Sequence, residues 1–398
     1  MDIAFHYFAL KSLALKAGFS DDEAQLIAQY SQMTDDFDYT AWWDCRNVPE
    51  YIKNPDYDII NILGYFNPVQ TGFLTDGILG KFDYLNLVTP RFQKLSCTPF
   101  HFIYNLRNEI GNKEYRVYPA VMNDFSNIWE MLKKARDEYQ AALKGETSQY
   151  GDNKKYKRKT LMKIGLLLHI FADTTAHQMF SGFNANVNNV KLIKVQNNIT
   201  GTDETEKYKN SVIYYLEKLS QYCPWITPMI GHMMIAHIPD LTHLTFTMEY
   251  KNNEGIISTY TRSNTAEFIM RSEQILQFLL SCRNQEMIPE EEWRDYSDQL
   301  SKCFLTDISE CSDEKSMVKK LKPIWINCGG TYDYSSEEIK RSFVLETFPL
   351  EKEFPQGYED VPEEIRPVCS TNASDDFYLF NVCAEEVLID LYGVKPRS

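Results

Sequence analysis

The residues best placed to do chemistry lie in one apolar stretch, Leu168-His169-Ile170-Phe171-Ala172-Asp173-Thr174-Thr175-Ala176-His177. On an α-helix, at about 100° per residue, positions i, i+4 and i+8 fall within an arc of about 80°, so His169, Asp173 and His177 share one face. Imidazole nitrogens and carboxylate oxygens are ligands for divalent metals such as zinc. The two histidines stand about 12 Å apart along the helix axis, too far to meet on one ion, while Asp173 lies about 6 Å from each. A carboxylate has two oxygens and can bridge, so the spacing suits two or more ions a few ångströms apart better than one tetrahedral zinc. The same pattern also arises from polar residues on a solvent-facing helix or from histidines satisfied inside a core.

Further ligands are spread along the chain. Its seven histidines are residues 6, 101, 169, 177, 232, 237 and 243. None lies in the last 150 or so residues, which places any histidine chemistry in the first two-thirds. His6 sits among aromatic residues, Asp35 and Asp36 follow the first helix signal, and His101 lies within Pro99-Phe100-His101-Phe102. In Gly231-His232-Met233-Met234-Ile235-Ala236-His237-Ile238-Pro239-Asp240, His232 and Asp240 are placed to point inward. His237 and His243 read as structural or supporting residues.

The elements that must position these groups read as helices. Ser20-Asp21-Asp22-Glu23 is a capping box and starts a helix that carries Leu26, Ile27 and Tyr30 on one face. Val121, Phe125, Ile128, Trp129, Leu132, Ala135 and Tyr139 recur at helical spacing and stop at Gly145. A third helix spans about Tyr156 to Phe180 and holds the ligand stripe. The Asn-, Gly- and Thr-rich stretch from Ser181 to Glu206 favours turns. Shorter helices are expected around Tyr208 to Tyr222 and Met229 to Ala236. Cap signals recur at Asn264 with Glu267 and at Ser335 with Glu338, and a last helix runs from Phe377 to Tyr392, ending at Gly393. Strand-like alternation appears only in Leu244 to Tyr250 and Gly255 to Tyr260, which pair as a small hairpin. The expected fold is therefore mainly α, a multi-helix bundle with at most a small β-hairpin. The hairpin marks the boundary between a helical metal-site core, 1–250, and a helical extension packed on it, 251–398. The two can also run together as one continuous domain.

Composition excludes several classes. Of 398 residues, 43% are hydrophobic and 14% aromatic, enough to bury a large core and to argue against disorder. A formal net charge of −15 repels nucleic-acid backbones and anionic membranes at long range, so no long nucleic acid is expected as a partner. The compact basic run Lys154 to Arg158, with Lys163 nearby, reads as a solvated helix start. The longest apolar segment, Ile164 to Ala172, is too short for a membrane span, and the first residues show no export signal, so a cytoplasmic location is expected. Nine cysteines, odd in number and without a Cys-x-x-Cys pair, indicate neither a zinc ribbon nor a disulfide framework.

The order His6, Asp35/Asp36, His101, His169-x3-Asp173-x3-His177 and His232 resembles that of the zinc-dependent phospholipase C and single-strand nuclease superfamily. Those enzymes are helical and hold three zinc ions. The opening Met-Asp-Ile-x-Phe-His, the segment from Ala172 to Asn184, and Gly231-His232 with Pro239-Asp240 also resemble an uncharacterised bacterial family of about this length. The superfamily resemblance implies Asp173 as the bridging ligand, His169 and His101 with Asp35 or Asp36 on one zinc, His177 and His232 on a second, and His6 on a third. Ala236 stands where the superfamily has a glutamate four residues after His232, and Asp240 is the substitute carboxylate.

Two or three zinc ions, or other divalent metals, would acidify a bound water for attack on phosphorus. The expected activity is hydrolysis of a small phosphodiester or lipid headgroup, with Asp173 and Asp36 as candidate catalytic carboxylates. Asn184 and Asn186 are candidate substrate-binding residues, and protein partners are not indicated. The alternative is a non-catalytic metal-binding or interaction protein. A di-iron carboxylate bundle needs Glu-x-x-His pairs that the chain lacks, and a phosphohydrolase with an adjacent His-Asp pair needs a dipeptide that does not occur.

Overall fold

Ser20 caps a helix as its sequence predicts: its Oγ accepts from the Glu23 N–H at 3.3 Å, and the Glu23 carboxylate accepts from the Ser20 N–H at 3.1 Å. In the computed structural model, which describes residues 1–39, 44–45, 48–61, 64–72, 89–146, 150–210, 229–252, 254–349 and 369–397, most regular structure is helical. A π-helical turn, Ala4–Ala9, leads into α1 (Leu10–Lys16), followed by α2 (Asp21–Asp36) and the short α3 (Thr98–His101). The long helices α4 (Asn127–Leu143) and α5 (Asn153–Ala176) come next. The later part adds α6 (Asn264–Cys282), α7 (Glu290–Phe304), α8 (Glu314–Trp325), α9 (Ser336–Phe343) and α10 (Asp375–Tyr392). None of the described helices is long and apolar enough to cross a membrane.

Helix α5 is the axis of the molecule, buried on all sides from Lys159 to Ala176. Helices α2, α4, α6 and α10 all pack against it. Gly165 lets α2 come close, since a Cβ there would overlap the Ile27 carbonyl oxygen. That close approach carries the end of α2, with Asp35, alongside the His169 and Asp173 turns of α5. The buried hydrophobic residues form one cluster that runs from Met1 to Leu391.

The basic run at the start of α5 is not left to solvent. Lys155 pairs with Asp375 at 2.9 Å, Lys157 with Glu23 at 2.6 Å, and Arg158 with Asp376. Lys159 and Lys163, almost fully buried, share Glu138 and Glu386 at 2.6 to 3.0 Å. These pairs tie α5 to α2, α4 and α10.

The β structure exceeds the single hairpin expected. Strands β3 (Leu244–Lys251) and β4 (Ile257–Ser263) form that hairpin, and β2 (Lys191–Asn197) pairs antiparallel with β3, Val195 opposite Phe246. The stretch read as turns thus contains a strand, hidden because a register shift between Leu192 and Lys194 interrupts its alternation. A second three-stranded sheet joins β1 (Asp44–Cys45), β6 (Cys369–Ala373) and β5 (Val344–Pro349), with β1 parallel to β6. The helix expected at Met229 to Ala236 is only a 3₁₀ turn, Met233–Ile235, and most of the one expected at Tyr208 to Tyr222 lies outside the described residues.

Candidate metal centre

Helix α5 stops one residue short of the full stripe. It ends at Ala176, and His177 is its C-cap, φ −93° and ψ 12°, with its ring centroid 5.0 Å from that of His232. His169 and Asp173 keep the one-turn relation, Nε2 to Oδ2 3.1 Å, both buried.

Four segments meet around Asp173. From α2, Asp35 places Oδ1 3.7 Å from His101 Nδ1 and 3.7 Å from His169 Nε2. From α3, His101 sets Nδ1 3.1 Å from Asp173 Oδ2 and 3.3 Å from His169 Nε2. From the first turn, His6 stacks on His169 with ring centroids 3.9 Å apart and brings Nε2 to 3.0 Å from Asp173 Oδ1. The Met1 amine lies 2.6 Å from the same oxygen and 3.4 Å from Asp240 Oδ1. Burial opposes its charge, but Asp173, Asp240 and Asp35 outweigh that and push its pKa up to about 11.

Asp240 holds a second group together. Its Oδ1 lies 3.5 Å from His177 Nε2, and its Oδ2 lies 3.3 Å from His232 Nε2. His177 Nδ1 is 3.7 Å from Asp173 Oδ2, which places the two groups side by side. The described residues therefore contain two sets able to hold a metal ion: Asp35, His101, His169 and Asp173, and next to it His177, His232 and Asp240.

The orientation of the rings shows that the donors fit a cation. His101 Nε2 donates to Thr71 O at 2.8 Å, His177 Nδ1 to His101 O at 2.8 Å, and His232 Nδ1 to Ala236 O at 2.6 Å. A carbonyl only accepts, so each of these nitrogens carries its ring's proton, and in a neutral imidazole the other nitrogen presents a lone pair. Those second nitrogens face Asp173 and Asp240, which are acceptors too. Acceptor against acceptor is relieved by a metal ion or by a second proton on the ring. At His232 burial disfavours the second proton and lowers the pKa to about 4; burial likewise lowers that of His169 to about 4 and that of His6 well below its usual value. Among the described residues, His6 Nδ1 and His169 Nδ1 are buried with no hydrogen-bond partner. Burial also penalises charge on Asp173, but His177, the Met1 amine, His169 and His6 more than offset it and hold that carboxyl well below the usual range.

Glycines and buried arginines build the frame. The Phe102 ring stacks on His177 with centroids 4.4 Å apart; a Cβ at Gly231 would strike that ring, and one at Gly182 would strike Thr98 Oγ1 and the Phe102 Cβ. A Cβ at Gly72 would overlap the Asp35 carbonyl, so only glycine lets the Thr71 carbonyl come close enough to orient His101. Arg262 donates to the Thr175 and Ala176 carbonyls at 2.7 and 2.8 Å and to Pro239 O at 2.6 Å. Asn264 accepts from Arg262 Nε and donates to Ile238 O and Leu241 O, so the pair clamps the Asp240 turn onto the end of α5. Arg271 binds Thr174 and Thr175 Oγ1 from the other side.

Several expected residues stand elsewhere. Asp36, expected as a ligand and a catalytic carboxylate, accepts from Tyr334 O–H at 2.5 Å and from Gln32. One residue along a helix is about 100° of rotation, which turns Asp36 away where Asp35 faces in. Burial raises the pKa of Asp36 to about 6. Asn184 and Asn186 are exposed, and Asn184 Oδ1 accepts from the Met229 N–H, fastening the loop before Gly231. His237 lies at the rim, 86% exposed and 3.7 Å from Asp240 Oδ2, while His243 is buried beside Asp307. Gly72, Gly165 and Arg262 carry no signal in the sequence, because their tasks are contacts with backbone of distant segments; Asn264, expected as a helix cap, instead follows the N-cap Ser263 and gives its side chain to Arg262, Ile238 O and Leu241 O.

The site thus defines a mainly helical protein with two adjoining histidine–carboxylate groups suited to metal ions. A family model described as "Family of unknown function (DUF6765)" matches residues 1–387, and the chain belongs to that family. No curated protein and no solved structure matches it.

Proposed function

We propose that this chain is a metal-dependent hydrolase, a zinc phosphoesterase acting on a small phosphodiester or a lipid headgroup. The observation that carries the reading is the pairing of each ring of His101, His177 and His232 with a backbone carbonyl on one side and a carboxylate on the other. Such carbonyl partners fix the tautomer and aim the ring of a metal-ligating histidine. Asp35, His101, His169 and Asp173 would hold one ion, and His177, His232 and Asp240 the next, with other divalent metals also suited to these nitrogen and oxygen donors. A third ion would draw on His6.

Ions held by these two groups would supply an acidified water and positive charge to stabilise the entering and leaving oxygens of a displacement at phosphorus. The protein supplies the dry wall: Phe102 covers His177, and Phe180 stands edge-on to His232. It also supplies an open side, since the side chain of Asp35 is 27% exposed, that of His232 15% and that of His237 86%. A wholly structural metal is closed off by its ligands, so this open side favours catalysis. A net charge of −15 and a basic run already consumed in ion pairs favour a small substrate over a nucleic acid.

The test is hydrolysis of bis(p-nitrophenyl) phosphate by zinc-loaded protein, by chelator-treated protein and by Asp173→Ala. Turnover that follows zinc and disappears in the variant is expected. Zinc retained with no turnover of phosphodiesters or lipid headgroups would leave the alternative, a non-catalytic metal-binding or interaction protein.

A further inference from the structure

Two sulfurs far from the metal groups in sequence face each other. Cys303, near the end of α7, and Cys328, in the 3₁₀ turn Ile326–Cys328, hold their Sγ atoms 3.3 Å apart. Both are thiols, and a disulfide needs the sulfurs at about 2.05 Å, closer than they stand here. Cys303 is 4% exposed, whereas Cys328 is half-buried and reachable from solvent. Gly329 and Gly330 follow Cys328 in the left-handed region, φ 93° and 80°, and space beside Gly329 is open.

We propose that Cys303 and Cys328 are a reversible disulfide site, oxidised by exchange with a small-molecule disulfide such as oxidised glutathione. The Cys328 thiolate attacks one sulfur of the oxidant, forms a mixed disulfide and expels one thiolate. Cys303, having given its proton to solvent, displaces the second thiolate and closes the bond. Two protein thiols and one small disulfide become one protein disulfide and two small thiols. The division of labour fits the local chemistry: the hydrogen bond between the thiols lowers the pKa of Cys328 and, with burial, raises that of Cys303.

The bond would pin a strap. Residues 329–334 run from Cys328 across the amino-terminal helix: Thr331 O accepts from Lys11, Asp333 O accepts from Tyr7 at 2.8 Å, Tyr332 stacks on Phe8, and Tyr334 reaches Asp36, next to the ligand Asp35. Oxidation would therefore stiffen the backing of the metal groups without touching a ligand.

The folded full-length protein is equilibrated with oxidised and reduced glutathione in varying ratio, alkylated, digested and mapped by mass spectrometry. Expected are Cys303 and Cys328 peptides joined to each other, reversal by dithiothreitol, and a thermal midpoint a few degrees higher in the oxidised form. Cys328→Ser, with unchanged circular dichroism, is expected to leave Cys303 unjoined. Full alkylation of both residues after equilibration in oxidised glutathione alone would overturn the proposal, as would pairing of either with a different cysteine.

Discussion

His177 donates its Nδ1–H to the backbone carbonyl of His101 at 2.8 Å, so a candidate ligand of one group is aimed by the backbone of a candidate ligand of the other. The two groups share a frame but none of the side chains that form them, and in the proposed reading Asp173 alone serves both ions. Removing one ligand should therefore empty one group and leave its neighbour filled.

His232→Ala and Asp35→Asn address this separately. His232→Ala is expected to lose one zinc equivalent and keep the Asp35 group, and Asp35→Asn to do the reverse, with Asp173→Ala losing both. Calorimetric titration of metal-stripped protein reads the number of sites directly. Loss of both equivalents in His232→Ala, in protein whose circular dichroism is unchanged, would show that the groups are not separate.

Arg262 tests the frame. Its guanidinium satisfies the last carbonyls of α5 and Pro239 O together, so Arg262→Met leaves three buried carbonyls without that donor. The variant is expected to be destabilised by about 3 kcal/mol and to bind the second ion about 10- to 100-fold more weakly, with the first ion little affected. Arg262→Lys, which keeps the charge but not the fork, should recover only part of this. Unchanged affinity at the second group, measured by competition with a chromophoric chelator, would remove the positioning role.

Acid should loosen the α5–α10 contact in a defined window. Burial opposes the Glu386 charge, but Lys159 and Lys163 outweigh it and lower its pKa from 4.5 to about 2. A group with a depressed folded pKa contributes stability that is complete above its unfolded value and is lost as pH falls through the folded one. Glu386→Gln should thus cost about 3 kcal/mol at pH 7, and the gap to the unaltered protein should narrow between about pH 4.5 and pH 2. Urea denaturation at several pH values measures it. A gap that stays constant down to pH 2 would mean that the ion pairs do not set it.

Much of this arrangement was legible in the residues because helical periodicity is a local property. The spacing of His169 and Asp173 put them one turn apart on α5, with His177 at its C-cap, and the signals at Ser20, Gly145, Ser335 and Gly393 stand at helix ends. What was not legible depends on how distant segments meet. Whether Asp35 or Asp36 faces inward is set by the rotation of α2 against α5, which Gly165 permits and no motif near residue 35 announces. Arg262 lies beyond the hairpin read from the sequence, and it is buried where its guanidinium reaches the last carbonyls of α5. Strand β2 was hidden by its own irregularity, and the second sheet by the wide separation of β1 from β5 and β6.

The most direct measurement is the metal content of the purified full-length protein by inductively coupled plasma mass spectrometry, after loading with zinc and extensive dialysis. Retention of two or more equivalents is predicted, removable by a strong chelator and regained on adding zinc. Protein that stays folded, takes up no divalent metal and loses none to the chelator would contradict the account.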